Sequence, residues 1–234
     1  MAISYLKRLA RLILGLFLYG LGSFLSVQAN VGLAPWDAFA MGMTNILDMS
    51  FGTSVIFTGA AVLVIDLFLH EKIGLGTILN TILIGAFVNM IEGWGLIPRM
   101  QDFLPGVLML LLGQCVICVG SVFYIGAGLG CGPRDALMVA LGKRFNKVPI
   151  GVVRALLEGS VLLIGYLLGA KVGVGTVIAV LGIGFILEWT FRLFRFDVKA
   201  IRHESIFETL RIWQGKEQPT ATEVPEGEVR REVA

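Results

Sequence analysis

The chain has 234 residues, of which 56% are hydrophobic and only 15% charged, with a mean hydropathy of +0.83. A soluble globular domain carries roughly a quarter charged residues, so this composition excludes one and indicates a protein that lives in a bilayer. The net charge of +2 conceals an uneven distribution, since eight of nineteen basic and eight of seventeen acidic residues follow Thr190.

The basic start at Lys7, Arg8 and Arg11 leads into an apolar stretch that ends at Ala29. A signal peptide has an apolar core of ~7–15 residues; this stretch is longer and is followed by others, so it is predicted as the first transmembrane helix. Crossing ~30 Å of hydrocarbon takes ~20 apolar residues. Six runs qualify: Leu9–Ala29, Phe51–Leu69, Leu75–Leu96, Leu104–Ile125, Ile150–Leu168 and Val174–Leu193. Two shorter helices, Pro35–Met49 and Pro133–Phe145, lie after the first and fourth spans. Each opens on a proline, suited to a first helical turn, and each has an aspartate two residues on, where a carboxylate complements the positive helix end. At ~1.5 Å per residue each is about 20 Å long, short of a full crossing. Beyond Leu193, Ile206, Phe207, Leu210 and Trp213 share one helical face among Glu204, Glu208 and Arg211, which predicts a surface helix on the membrane. The stretch from Lys216 to Ala234 is polar, carries prolines and is expected to be disordered.

The chain also repeats itself. GLAPWDA at 32–38 and GCGPRDA at 130–136 fall in a block, Leu21–Phe39 against Val119–Leu137, that has seven identities in nineteen positions at a shift of 98. From Gly52 the shift becomes 99, and Gly52–Met90 against Gly151–Trp189 has eleven identities in thirty-nine, including KIGLGT against KVGVGT. Shared composition gives roughly one match in ten. The predicted fold is therefore an all-α polytopic membrane protein of two tandem repeats, each three transmembrane helices plus one short half-helix. The expected domains are a first repeat at 1–98, a second at 99–196 and a tail at 197–234.

Basic residues orient it. With six crossings, one side holds Lys7, Arg8, Arg11, Lys72, Arg134, Lys143, Arg144, Lys147, Arg192, Arg195, Lys199 and Arg202, and the other only Arg99 and Lys171. The positive-inside rule then places both termini in the cytoplasm, and three crossings per half invert the second repeat relative to the first. Eight spans, with the short helices crossing, would make the repeats parallel. The charge bias accommodates both, and the shortness of the two helices favours six.

Ionisable groups within spans are costly and need a partner or a purpose. Arg154 and Glu158, spaced i, i+4, can pair on one helical face, while the first half has Val55 and Gly59 at the matching positions. They either form a solute site, the guanidinium receiving an anion, or lock two helices together as a neutral pair. Asp37 and Asp135 either cap their short helices or mark two helix starts that face each other, with backbone N–H groups and dipoles able to bind an anion. In that second reading Gly32, Pro35, Gly130, Gly132 and Pro133 shape the two starts, and Arg134, which replaces Trp36, strengthens the positive field. Asn80, Asn89, Glu92, Gln114 and Glu188 are polar groups on otherwise apolar helices, and Asn89 aligns with Glu188. The KxGxGT elements read as tight turns between spans. Cys115, Cys118 and Cys131 give neither a disulfide framework nor a zinc site, and His70 and His203 are isolated. No metal, cofactor or catalytic constellation is expected.

VQANVGLAPWDAF, GAGLGCGPRDALM, Arg154 with Glu158, and KVGVGT resemble the YczE-like integral membrane proteins of bacteria, relatives of YitT-type membrane proteins. The resemblance covers about residues 10–190 and implies a bacterial cytoplasmic-membrane protein with a duplicated core, but no substrate. Cys131 stands where that family commonly has proline, and Ala136 where it has glycine. The expectation is a small secondary transporter or permease for an anionic solute, centred on Asp37, Arg134, Asp135, Arg154 and Glu158. The alternative is a non-transporting scaffold or accessory protein that acts through partners. Expected partners are the bilayer, a small solute and a second copy of the chain, with no nucleic acid.

Overall fold

The computed structural model describes residues 2–145, 147–198, 201 and 203–213. Their regular structure is helical throughout: α1 (Ala2–Gln28), α2 (Pro35–Leu47), α3 (Phe51–Phe68), α4 (Leu75–Trp94), α5 (Phe103–Gly126), α6 (Pro133–Arg144), α7 (Ile150–Leu167), α8 (Val174–Leu193) and α9 (Ile206–Trp213). Six of these are long and apolar enough to cross a membrane: α1 from Tyr5, α3, α4, α5, α7 and α8. The other two of the eight helices that precede the tail, α2 and α6, turn back. α2 starts beside Ser23 of α1, which donates to Asp37, and ends where Asn45 reaches the Leu168 carbonyl just past α7. α6 starts beside Tyr124 near the end of α5 and ends with Lys143 on Glu71, in the turn between α3 and α4. Each returns to the face from which its chain entered.

The centre of the bundle is the pair α1 and α5. Gly15 lies against Gly120, Gly22 against Gly113 and Ala29 against Gly106, so the two helices run antiparallel with their backbones close. Lipid tails are as apolar as leucine and give helices no hydrophobic reason to associate, so such glycine contacts and the van der Waals packing they allow hold the bundle. Around this seam Leu12, Leu16, Val88, Ile91 and Leu110 are almost wholly buried, while Leu167, Phe185, Trp189 and Leu193 stand out as a lipid-facing surface.

The two motifs that recur in the sequence dock on one another. Gly32 and Gly130 have φ of 128° and 130°, conformations that disfavour any side chain. Gly32 sits on Gly173 and Thr176, and Gly130 on Gly74 and Thr77. Beside them Gly175 N–H donates to the Val31 carbonyl at 2.9 Å, and Gly76 N–H to the Leu129 carbonyl at 2.7 Å. Thr176 and Thr77 accept from the amides of Gly173 and Gly74, both at 3.2 Å, and so close the starts of α8 and α4. The GxGT elements are thus more than turns: each is the seat for the glycine-rich entry of the other half.

The tail binds the face that holds the start of α1. Glu204, whose side chain is 1% exposed, pairs with Arg8 at 2.7 Å and accepts from the Tyr5 hydroxyl. Its amide donates to Gly128, and that of Ile206 to Ile73. On α9, Thr209 and Ile212 meet the protein while Phe207 and Leu210 point outward; Glu204, expected among the polar residues of this segment, lies ahead of the helix and is buried. The predicted disordered stretch from Lys216 to Ala234 lies outside the described residues.

Two outcomes are expected. Gly22→Val places a branched side chain against the α5 backbone and lowers stability by about 1–3 kcal/mol, read as a drop in melting temperature in detergent. Glu204→Ala leaves Arg8 without its buried partner; it costs about 3–5 kcal/mol and opens the tail to limited proteolysis near residue 204.

Candidate functional site

The starts of α2 and α6 open onto one cavity of about 180 Å³, walled by α3 and α4 on one side and by α7 and α8 on the other. Proline at the first helical position opens each short helix at the edge of this space. Asp37, Arg134, Asp135, Arg154 and Glu158 all line it, together with Pro35, Gly132 and Pro133. Gly32 and Gly130 do not: their role is the docking between halves described above.

Neither aspartate is itself the N-cap, since Ala34 and Gly132 occupy those positions without a side-chain bond; both stand in the first turn, where a carboxylate complements the positive helix end. Asp37 accepts from the Ser23 hydroxyl at 3.2 Å and is buried, whereas Asp135 accepts from the Tyr124 hydroxyl at 3.0 Å and is open to the cavity. The Arg134 guanidinium lies 5.0 Å from the centre of the Trp36 ring. These two residues are at matching positions of the alignment, so the two halves meet at this stack, which favours the cation through the ring's quadrupole. Arg134 therefore brings a positive charge to the point where both helix starts converge.

Arg154 Nε donates to Glu158 Oε1 at 2.8 Å within α7, with the two side chains 56% and 26% exposed. The pair is made along one helix, so it does not lock two helices together. Asn80 lies on the cavity wall as well. Asn89 donates to Thr53 across α3 and α4, while its aligned Glu188 is paired with Arg192 on the exposed side of α8. His203, which looked isolated, reaches the neighbourhood of Asp135: burial lowers the imidazole's proton affinity, and the carboxylate pulls the other way. Tyr19, Ser23, Trp36 and Tyr124 were not foreseen on the wall. Ser23 carried a signal as one of the identities between the two segments, and Trp36 as the residue of GLAPWDA that aligns with Arg134; Tyr19 and Tyr124 had none, because tyrosine in a span reads as ordinary packing.

Two walls of the cavity differ. On the first-half side Val55 and Gly59 are buried, and on the second-half side Arg154 is exposed and Glu158 half-buried. The arrangement brings together two helix starts, one arginine held against a ring and one arginine paired with Glu158.

Over residues 6–192 the chain matches a family described as a family of unknown function, DUF6198. It is 33% identical over 183 residues to an uncharacterized protein of Haemophilus influenzae, covering 78% of this chain and 83% of that one. It is 28% identical over 178 residues to the uncharacterized membrane protein YczE of Bacillus subtilis, covering 75% and 81%, and 22% identical over 184 residues to the uncharacterized protein YyaS of the same species, covering 75% and 88%. No solved structure matches the chain. With its six apolar spans and its likeness to these relatives, the chain is a polytopic membrane protein that belongs to the DUF6198 family, the YczE-like family to which GAGLGCGPRDALM pointed.

Proposed function

We propose that this protein is a small secondary transporter for an organic anion, built from two repeats of opposite orientation and operating in a bacterial cytoplasmic membrane. The observation that carries the reading is the convergence of two repeat-related helix starts and two arginines on one cavity. Half-helices whose positive ends point at a substrate near the bilayer midplane are the binding device of many transporters. The antiparallel run of α1 against its repeat mate α5 supports opposite orientation of the halves. Lys7, Arg8, Arg11, Lys72, Lys143 and Arg192 lie on the face of the α1 start, against Arg99 and Lys171 on the other, which supports cytoplasmic termini. The solute carboxylate or phosphate would bind Arg154 and Arg134, and Glu158 or an aspartate would carry a coupling proton. The bilayer and the solute are the partners this reading requires; it includes no catalysis.

The outward-facing Phe207 and Leu210 of α9 favour a second reading, an accessory protein that docks a partner through its tail. Deleting residues 206–213 abolishes function in that reading and leaves transport intact in the first.

The test is a thermal-shift screen of the purified protein in detergent against organic carboxylates and phosphates, on wild type and Arg154→Ala. A ligand at 100 times its Kd stabilises the folded state by about 2.7 kcal/mol. Stabilisation of the wild type that the variant loses supports the reading; none with any anion moves the conclusion to the accessory protein. Without ligand the arginines should differ: Arg154→Ala changes stability by at most about 1 kcal/mol, as for an exposed pair, whereas Arg134→Ala, which removes the stack on Trp36 and the charge near Asp37, costs about 1–3 kcal/mol.

A further inference from the structure

The two halves, so alike in sequence, differ in one seam. In the first half α3 and α4 are zipped together: Gly52 rests on the Gly85 carbonyl and Gly85 on that of Gly52, Gly59 packs on Thr81, and Asn89 donates to Thr53 at 3.2 Å. The aligned glycines of the second half, Gly151 and Gly184, have nothing within 4 Å of the space a side chain would take, and α7 and α8 scarcely touch. A glycine inside a helix costs about 1 kcal/mol relative to alanine. In the first half close packing offsets that cost; in the second half, in this conformation, nothing does.

At its other end α7 is held. Gly165 sits against the backbone of Ala38 and Phe39 in α2, and Leu168 against Gly42. The helix is therefore anchored at one end and swung away from α8 at the other, the end that carries Arg154 and Glu158. What occupies the seam is also clear from the alignment. Glu158 stands where the first half has Gly59, and Val180, the mate of Thr81, is where that glycine's contact would be. A Cβ on Gly59 would lie 3.2 Å from Thr81 Cγ2, tighter than ordinary contact, so a larger side chain there requires its neighbour to give way. A glutamate at that position has to direct its side chain into the cavity, which Glu158 and the neighbouring Arg154 both line.

We infer that Arg154 and Glu158, which line the cavity beside α8, form a wedge that holds α7 off α8, and that the helices close on Gly151 and Gly184, as α3 and α4 close on Gly52 and Gly85, when a bound anion draws the pair away from α8. The inference deepens the transporter reading and rests on it for its purpose: the present conformation opens the site between α7 and α8, and the closed seam is the occluding step. Seam closure in one half and opening in the other would be the exchange of states that two oppositely oriented repeats make available.

The experiment reads the seam without any solute. Nitroxide labels are placed at Leu156 and Phe185, in a background with Cys115, Cys118 and Cys131 replaced by alanine, and their separation is measured by pulsed electron paramagnetic resonance in lipid nanodiscs. Both positions are exposed, as are their mates Phe57 and Ala86 in the zipped half, so the labels leave the seam free. Labels at Phe57 and Ala86 give the closed separation. The expected result is a long α7–α8 separation that shifts to the closed value in Arg154→Val with Glu158→Gly, the residues of the first half, and returns to the long value when Gly151→Leu and Gly184→Leu are added. Glu158→Ala in place of Glu158→Gly gives the same shift if the extra glycine weakens α7. A separation that stays long once the wedge is removed overturns the inference, as does one that shortens but ignores the leucines. A short separation that appears only at high protein-to-disc ratio also overturns it, since it assigns the glycine face to a second copy. The readout is independent of the anion screen: a seam that closes while no anion stabilises the protein leaves this inference standing and sinks the solute, and an anion that binds over a seam that never closes does the reverse.

Discussion

Two backbone hydrogen bonds carry the architecture: Gly175 to Val31 and Gly76 to Leu129. Each joins the glycine-rich entry of one half to the helix start of the other, and each needs a glycine with positive φ beside it because a Cβ there would strike the opposing loop. Since the two bonds are reciprocal, the halves engage as two subunits do across an isologous interface. The position of the short helices follows. α2 and α6 leave these entries pointing into the molecule, begin at its middle and return, so their starts must face one another. The cavity between them is a consequence of the exchange rather than a separate feature.

The physics of the bilayer explains why this exchange is made of main-chain contacts. No water is present there to satisfy irregular backbone, and a loop that dips into the membrane is tolerated only where protein covers it. The entries at 29–34 and 127–132 are irregular, and each is covered by the other half's GxGT turn. The face holding the α1 start is covered further by the tail, whose Glu204 carboxylate is matched by Arg8 and Tyr5. At the opposite face the 97–100 segment bonds to Gln28 and Asn30, and Arg99 and Lys171 both converge on Asn30. The two ends are thus closed by different contacts.

The asymmetry extends to the cavity walls. Asp37 and Val55 are buried and their mates Asp135 and Arg154 are open, a difference that arises because α3 lies on α4 whereas α7 stands away from α8. The arginine and the glutamate stand on the more exposed of the two walls. This is the economical arrangement, because an arginine and a glutamate at the positions of Val55 and Gly59 would have to be desolvated inside a closed seam.

Much of this could be read from residues in order. The spans were legible because ~20 consecutive apolar residues have few other uses, and their predicted ends at Phe51, Leu75, Ile150 and Val174 coincide with the helix starts. The short helices were legible from proline and aspartate at their openings, and the cavity's charged residues from the cost of ionisable groups in a span. Other features had no local trace. That Glu204 is buried depends on Tyr5 and Arg8, roughly two hundred positions away. That Arg134 stacks on Trp36 depends on the two halves meeting, which no spacing encodes. The sequence by itself determined the helices, the recurring motifs and the residue types available for chemistry, because these follow from hydropathy, period and identity along the chain. Only the tertiary structure decided which glycines are used, since a glycine's value lies in the backbone that approaches it: Gly52 and Gly151 are the same letter at matching positions, and one is sealed against a neighbour while the other faces open space.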